Sequence, residues 1–204
     1  MIEAGSTYWV EVHPHESGRE VLVRRGADGA VTDVFGANFS ARTLVHGGSA
    51  GGYTTLRALT FRSIFRAGAS YFGVGNLSAM AKDTHKFESR YLDGLIGPWP
   101  AARALFEERS PAFHTELPAT PMIIFQCLDD AVMPPNQAEQ MVEALRGKGL
   151  PFAYLAYEEE KHGFRQAKNI MRTAEAELSF YGQVLGFDPA GNIAAVEVEN
   201  ANAL

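Results

Sequence analysis

Between residues 7 and 35, apolar and polar residues take turns along the chain. The segments TYWVEVH (7–13), EVLVRR (20–25) and AVTDVF (30–35) each carry the two-residue period of a half-buried strand. Glu16-Ser17-Gly18 separates the first pair and Gly26-Ala27-Asp28-Gly29 the second. Three short strands joined by tight, Gly-containing turns predict an antiparallel meander.

From about residue 42 the period changes. Arg42–His46, Ala67–Phe72, Met122–Gln126 and Phe152–Tyr157 are short apolar runs of the kind that form buried strands. Helical segments alternate with them: Ala50–Phe61, a polar and partly helical stretch to about Arg109, Asn136–Lys148 and Arg165–Val184. Asn136–Lys148 sets Ala138, Met141, Val142 and Leu145 at helical spacing and stops at Gly149. Arg165–Val184 sets Ile170, Ala174, Leu178 and Tyr181 along one face. Strands alternating with helices predict an α/β fold with a parallel sheet. Residues 188–204, small and acidic, are expected to form a flexible tail that frays. The expected division is therefore a meander (1–41), an α/β unit (42–187) and a tail (188–204).

Composition narrows the function. The chain has 204 residues, 46% of them hydrophobic, which is enough apolar material for one domain with a small appendage. A net charge of −6 argues against a nucleic-acid surface, which needs clustered Lys and Arg to neutralise phosphates. No apolar run approaches the roughly 20 residues of a membrane span, and MIEAGSTYWVEVHPHE lacks the basic start and apolar core of a signal peptide. With Cys127 as the only cysteine, no internal disulfide forms. A cytoplasmic protein without membrane or nucleic-acid partners is expected.

The sharpest chemical feature is Gly47-Gly48-Ser49-Ala50-Gly51-Gly52, a G-x-S-x-G between a short strand and a helix. Small residues around the serine let the backbone turn sharply and lift its hydroxyl above the sheet edge. The helix starting at Ala50 aims free N–H groups at the same place, where they can stabilise an oxyanion. Alone, the motif is equally compatible with a Gly-rich loop holding a passive serine. Two further segments change that balance. Asp129-Asp130 follow a buried strand, at the carboxyl edge where acids of open parallel sheets act, and His162 sits in the loop after the next strand. Most acids and histidines are ordinary surface groups, yet here Ser, Asp and His come in the α/β-hydrolase order, each at the expected strand end.

GGSAGG, FQCLDDAVMPPNQ and EEEKHGF together resemble the three catalytic segments of the prolyl oligopeptidase family of serine peptidases, on the acylaminoacyl-peptidase and dipeptidyl-aminopeptidase side. The resemblance runs from about Gly47 to Phe187. It implies Ser49 as nucleophile, His162 as general base and acid, and Asp130 rather than Asp129 as the residue orienting the histidine. Cys127 stands where that family usually has glycine. The first 46 residues instead resemble an early blade of the family's β-propeller, so the chain reads as an internal deletion joining blade to hydrolase near His46-Gly47. Two consequences are expected. The nucleophile strand becomes an exposed sheet edge, open to homo-oligomerisation. The Ala50 N–H is left as the one assignable oxyanion donor, where loss of a second donor costs about 10²–10³ in rate.

Other residues add less. His13, His15, His85 and His114 show no metal-ligand spacing with Cys127, so no metal site is expected, and the triad chemistry that the resemblance implies needs no cofactor. Glu158-Glu159-Glu160-Lys161 reads as a solvated loop. Tyr71 and Phe72 either line a substrate pocket or belong to the core. Cys127 reads as a buried small residue. The expected function is a serine peptidase acting on peptides. An esterase acting on small esters with the same triad, and a truncated, inactive homologue, remain the alternatives.

Overall fold

In the computed structural model, residues 7–16, 19–33, 44–83, 90–114, 117 and 120–204 are described. Ser17, Gly18, Val34, Phe35, Arg42 and His85, on which some sequence expectations fall, lie outside them.

The alternating N-terminal segments form a three-stranded antiparallel sheet, β1 (Thr7–His13), β2 (Arg19–Arg25) and β3 (Val31–Asp33), in the order β1-β2-β3. Thr7 faces Arg25 and His13 faces Arg19 across the first pair. The second turn closes through Gly29 N–H donating to Gly26 O at 2.9 Å, with Gly29 at φ 79°. Val21 and Val23, two apart on β2, are both buried.

The second sheet is parallel. It contains β4 (Leu44–Gly48), β5 (Ala67–Tyr71), β6 (Met122–Cys127) and β7 (Phe152–Tyr157), ordered as they occur in the chain. Each crossover is helical: α1 (Ala50–Phe61), then α2 (Leu77–Asp83), α3 (Tyr91–Leu95) and α4 (Arg103–Arg109), then α5 (Asn136–Lys148), with α6 (Ala167–Leu185) closing the unit. The two-residue strand period sorts the core into two layers. Met122 and Ile124 pack with Leu56, Leu59, Met141 and Leu145 of α1 and α5, whereas Ile123 and Phe125 pack with Ala176 and Phe180 of α6. All six β6 residues are buried, as suits an inner strand of a parallel sheet. β4 is the terminal strand of the described sheet.

The helix ends follow local rules. Gly149 closes α5 at φ 70° and Gly186 closes α6 at φ 74°, the left-handed conformation in which glycine carries no steric penalty. Of the face its apolar pattern suggests, α6 buries Tyr181 but turns Ile170, Ala174 and Leu178 outward. Ile170 is 49% and Leu178 38% exposed, while Asn169, Thr173, Ala176, Ser179 and Phe180 are buried. The polar members of that stripe are tolerated because each has a partner: Asn169 donates to Glu160, Thr173 to the Tyr157 hydroxyl, and the Ser179 hydroxyl accepts from Val196 N–H.

The C-terminal segment is tied to the body of the fold at several points. Phe152 and Glu199 exchange backbone hydrogen bonds at 3.1 and 2.8 Å, Val196 is buried in the α6-side core, and Arg146 holds the Glu199 carboxylate at 2.7 and 2.8 Å. Val196 in the core, Val198 packed against it and a backbone pairing with β7 give this segment more than its small, acidic composition suggests.

Candidate active site

β4 ends in a strained turn. Ser49 has φ 55° and ψ −117°, outside the regions an L-residue ordinarily adopts, at a cost of about 1–3 kcal/mol. Its N–H donates to Tyr71 O at 3.0 Å, which anchors the turn on β5. Two of the glycines around the serine, Gly47 and Gly52, are dictated by space, whereas Gly51 faces open space. A Cβ on Gly47 would lie 2.6 Å from the backbone of Gly51, and one on Gly52 would lie 2.7 Å from Gly73 Cα. The turn throws the Ser49 side chain off the end of the sheet, and α1 begins at the next residue. The Ala50 N–H is thus a first-turn donor with no intrahelical acceptor.

The acid is held by its own loop. Asp130 lies three residues past β6, with its side chain fully buried. Its Oδ1 accepts from Val132 N–H and Met133 N–H, both at 2.8 Å, and leaves Oδ2 to His162 Nδ1 at 2.8 Å. Gln126, fully buried under this loop, braces it by donating to Met133 O at 2.9 Å and to Cys127 O at 3.0 Å. Asp129 is exposed and contributes only its N–H, which donates to Glu160 O at 3.1 Å.

His162 Nε2 lies 2.9 Å from Ser49 Oγ. Ser49, His162 and Asp130 therefore form one hydrogen-bonded line drawn from three loops at the carboxyl edge of the sheet. In the neutral tautomer that carries its proton on Nδ1, toward the carboxylate, Nε2 would be left to accept a proton from the serine, the arrangement a general base requires. The imidazole side chain is 26% exposed, so a substrate can reach it.

Of the two aromatic candidates, the structure brings one to the histidine. The Phe72 ring forms a T-shaped pair with His162 at 4.9 Å, and Phe164 packs against Phe72 at 5.5 Å. Tyr71 turns elsewhere. It stacks on Phe125 at 5.0 Å and donates its hydroxyl to Glu177, and burial followed by the Glu177 charge pushes its own ionisation far up. The same Glu177 carboxylate receives the Tyr181 hydroxyl at 2.9 Å and lies 3.1 Å from His46 Nδ1 on β4.

The acidic loop is not uniformly solvated. Glu159 is exposed, but Glu160 is only 1% exposed. No periodicity in EEEKHGF separates the two, because what distinguishes them is the positive φ of Glu159 (59°), which turns the next side chain inward. Cys127 is buried, and burial pushes its thiol up to about 11, which leaves it a poor nucleophile. Among the described residues, no group of three or more His, Cys, Asp or Glu is placed to hold a metal ion, and no helix is long and apolar enough to cross a membrane.

The model of the prolyl oligopeptidase family, Peptidase_S9, matches residues 32–188. The chain belongs to the prolyl oligopeptidase family. A dipeptidyl peptidase family member 6 of Caenorhabditis elegans is 33% identical over 149 residues, covering 70% of this chain and 20% of that protein. Dipeptidyl aminopeptidase BIII of Pseudoxanthomonas mexicana is 27% identical over 157 residues, 74% of this chain and 23% of that one. Among solved structures, a puromycin-hydrolysing peptidase of Mycobacterium tuberculosis superposes with a TM-score of 0.74 at 49% identity, covering 76% of this chain and 24% of that one. The chain thus spans about a fifth to a quarter of the length of these relatives. The family match begins upstream of β4, earlier than the three motifs alone indicate.

Proposed function

We propose that this chain carries the catalytic machinery of a serine peptidase, with Ser49 as nucleophile, His162 as base and acid, and Asp130 as the orienting carboxylate. The observation that carries the reading is the Ser49–His162–Asp130 line, with links of 2.9 and 2.8 Å. Ser49 Oγ attacks the scissile carbonyl carbon as its proton passes to His162 Nε2, and the carbonyl oxygen becomes an oxyanion beside the Ala50 N–H. Collapse of this adduct breaks the C–N bond, and the leaving amine takes the proton from His162. Water, deprotonated by the same Nε2, then attacks the Ser49 ester and releases the carboxylic acid. Asp130 keeps the proton of the neutral imidazole on Nδ1 and stabilises the imidazolium formed in each half-reaction. This chemistry calls for no cofactor.

Peptides or small amides are the proposed substrates, with Phe72 at the wall nearest the reacting groups. We assign Tyr71 a supporting place behind that wall. Residues 42–187 would form the hydrolase unit and the N-terminal meander a separate element. Among the described residues β4 is the terminal strand, which supports association of copies along that edge, and a cytoplasmic setting suits a chain with one buried cysteine.

Turnover of an aminoacyl anilide, of puromycin and of a p-nitrophenyl ester, each with Ser49→Ala as control, tests the reading. Anilide or puromycin cleavage lost in the variant supports a peptidase. Ester cleavage alone would make the chain an esterase with the same triad. No turnover of any of the three by folded protein would favour an inactive homologue.

A further inference from the structure

Glu160 is a buried carboxylate with no part in the chemistry just described, two residues before His162 in the loop that joins β7 to α6. Burying an ionised carboxylate is costly unless several donors converge on it, and here they do. Oε2 accepts from Arg165 N–H at 2.9 Å, and Oε1 accepts from Gln166 N–H and from Asn169 Nδ2, both at 2.9 Å. These three donors lie on the far side of His162, where the loop enters α6. The carboxylate therefore folds residues 160–166 back on themselves, with His162 at the turn. The backbone narrows there as well: Lys161 and Gly163 form a β-bridge, with Gly163 at φ 104°. From its other end, the Glu160 carbonyl accepts Asp129 N–H at 3.1 Å, so the same residue ties the histidine loop to the loop bearing Asp130.

We propose that Glu160 is a positioning residue for the catalytic histidine, clamping its loop onto the start of α6 and onto the acid loop so that Nδ1 and Nε2 meet Asp130 and Ser49 together. The assignment rests on the triad reading. Three bonds to one buried carboxylate fix the loop at both ends, whereas His162 itself is partly exposed and is held in the line by only two bonds of its own. Burial pushes the Glu160 carboxyl up, but the bonds from Asn169, Gln166 and Arg165 outweigh it and hold the group below the ordinary carboxylate range. It is thus a charged acceptor whenever the enzyme works near neutrality. A misplacement of about 1 Å at a reacting group costs roughly 10²-fold in rate. Loss of the clamp should therefore fall on the chemical step rather than on binding.

The test compares the full chain with Glu160→Gln, which keeps size and shape but turns an amide N–H₂ toward the converging donors. Two readouts are taken: the rate of Ser49 labelling by a fluorophosphonate, alongside kcat and KM for the substrate found above, and the low-field proton resonance of the His162 Nδ1–H···Asp130 bond. A labelling rate and kcat lowered roughly 10- to 100-fold, KM within about 2-fold, and a broadened or lost resonance in a cooperatively melting variant are expected. An unchanged resonance with a rate within about 2-fold in that variant overturns the proposal and leaves the triad intact. A wild type that never labels, yet shows the resonance and loses it in Glu160→Gln, refutes the hydrolase and upholds the clamp. A folded wild type without the resonance contradicts both. If Glu160→Gln does not fold, Asn169→Ala, which removes one of the three bonds, decides by the same two readouts with smaller changes in the same direction.

Discussion

The Phe72 ring and the His162 imidazole meet in a T-shaped pair, with centroids 4.9 Å apart and planes at 64°. Phe72 reaches that place through a backbone conformation that L-residues rarely adopt, φ 38°, with its N–H donating to Phe125 O at 2.7 Å. The ring contact is worth about 0.5–1.5 kcal/mol and the backbone costs about 1–3 kcal/mol. Phe72→Ala loses the contact and keeps the strain, whereas Phe72→Gly loses both. Both variants should label more slowly with a fluorophosphonate, and the glycine variant should melt above the alanine variant. An alanine variant that melts higher would show that the turn is unstrained.

Gly47 admits no side chain, because a Cβ there would stand 2.6 Å from the Gly51 carbonyl carbon and oxygen. Both atoms are backbone in the first turn of α1, so relief requires moving the helix start, and Ser49 and the Ala50 N–H with it. Gly47→Ala should cost about 1–3 kcal/mol of stability and reduce turnover at least about 10²-fold. Thermal melts read the first effect and steady-state kinetics the second. A variant with wild-type kinetics would mean that the elbow is freer than its contacts indicate.

How much of this was legible in the residues depended on how local each cause is. Ala50–Phe61, Asn136–Lys148 and Phe152–Tyr157 begin and end where their patterns place them, because period, glycine and proline act within a few residues. Ser49, Asp130 and His162 could be singled out as candidates because each follows a strand end in the α/β-hydrolase order, and Ser49 lies in a glycine-rich strand-to-helix turn. Glu160 was not, since its burial depends on donors five to nine residues away and on a positive φ at Glu159. The inward stripe of α6 was equally hidden, because Asn169, Thr173 and Ser179 become acceptable core residues only with their partners. The pairing of Glu199 with Phe152 spans 47 residues and leaves no periodic trace in either segment.

Acid should destabilise the fold in a defined direction. Hydrogen bonding from Arg146 holds Glu199 below its ordinary 4.5, and Glu160 is held below the same value by bonds that outweigh its burial. Each is more readily protonated in the unfolded chain, so the stability it contributes is complete above 4.5 and is lost as pH falls through the lowered folded-state value. The melting temperature should therefore drop more steeply below about pH 4.5, and Glu160→Gln should flatten that drop. An identical slope in the variant would show that Glu160 takes up its proton equally readily in both states.

Cys127 should behave as a buried thiol. It is fully buried, and its ionisation is pushed up to about 11, first by burial. Iodoacetamide near pH 8 should leave the native protein unmodified and alkylate the denatured chain, as read by intact mass. Rapid alkylation of folded protein would place the Cys127–Asp130 loop in an open state.

The most direct measurement is fluorophosphonate labelling of the folded chain, with the modified residue mapped by peptide mass. Modification at Ser49, abolished in Ser49→Ala and strongly slowed in His162→Ala, is the expected result, because only an assembled base makes that hydroxyl nucleophilic. Folded protein that remains unmodified, or that is modified elsewhere at the same rate in Ser49→Ala, would contradict a working Ser49–His162–Asp130 triad.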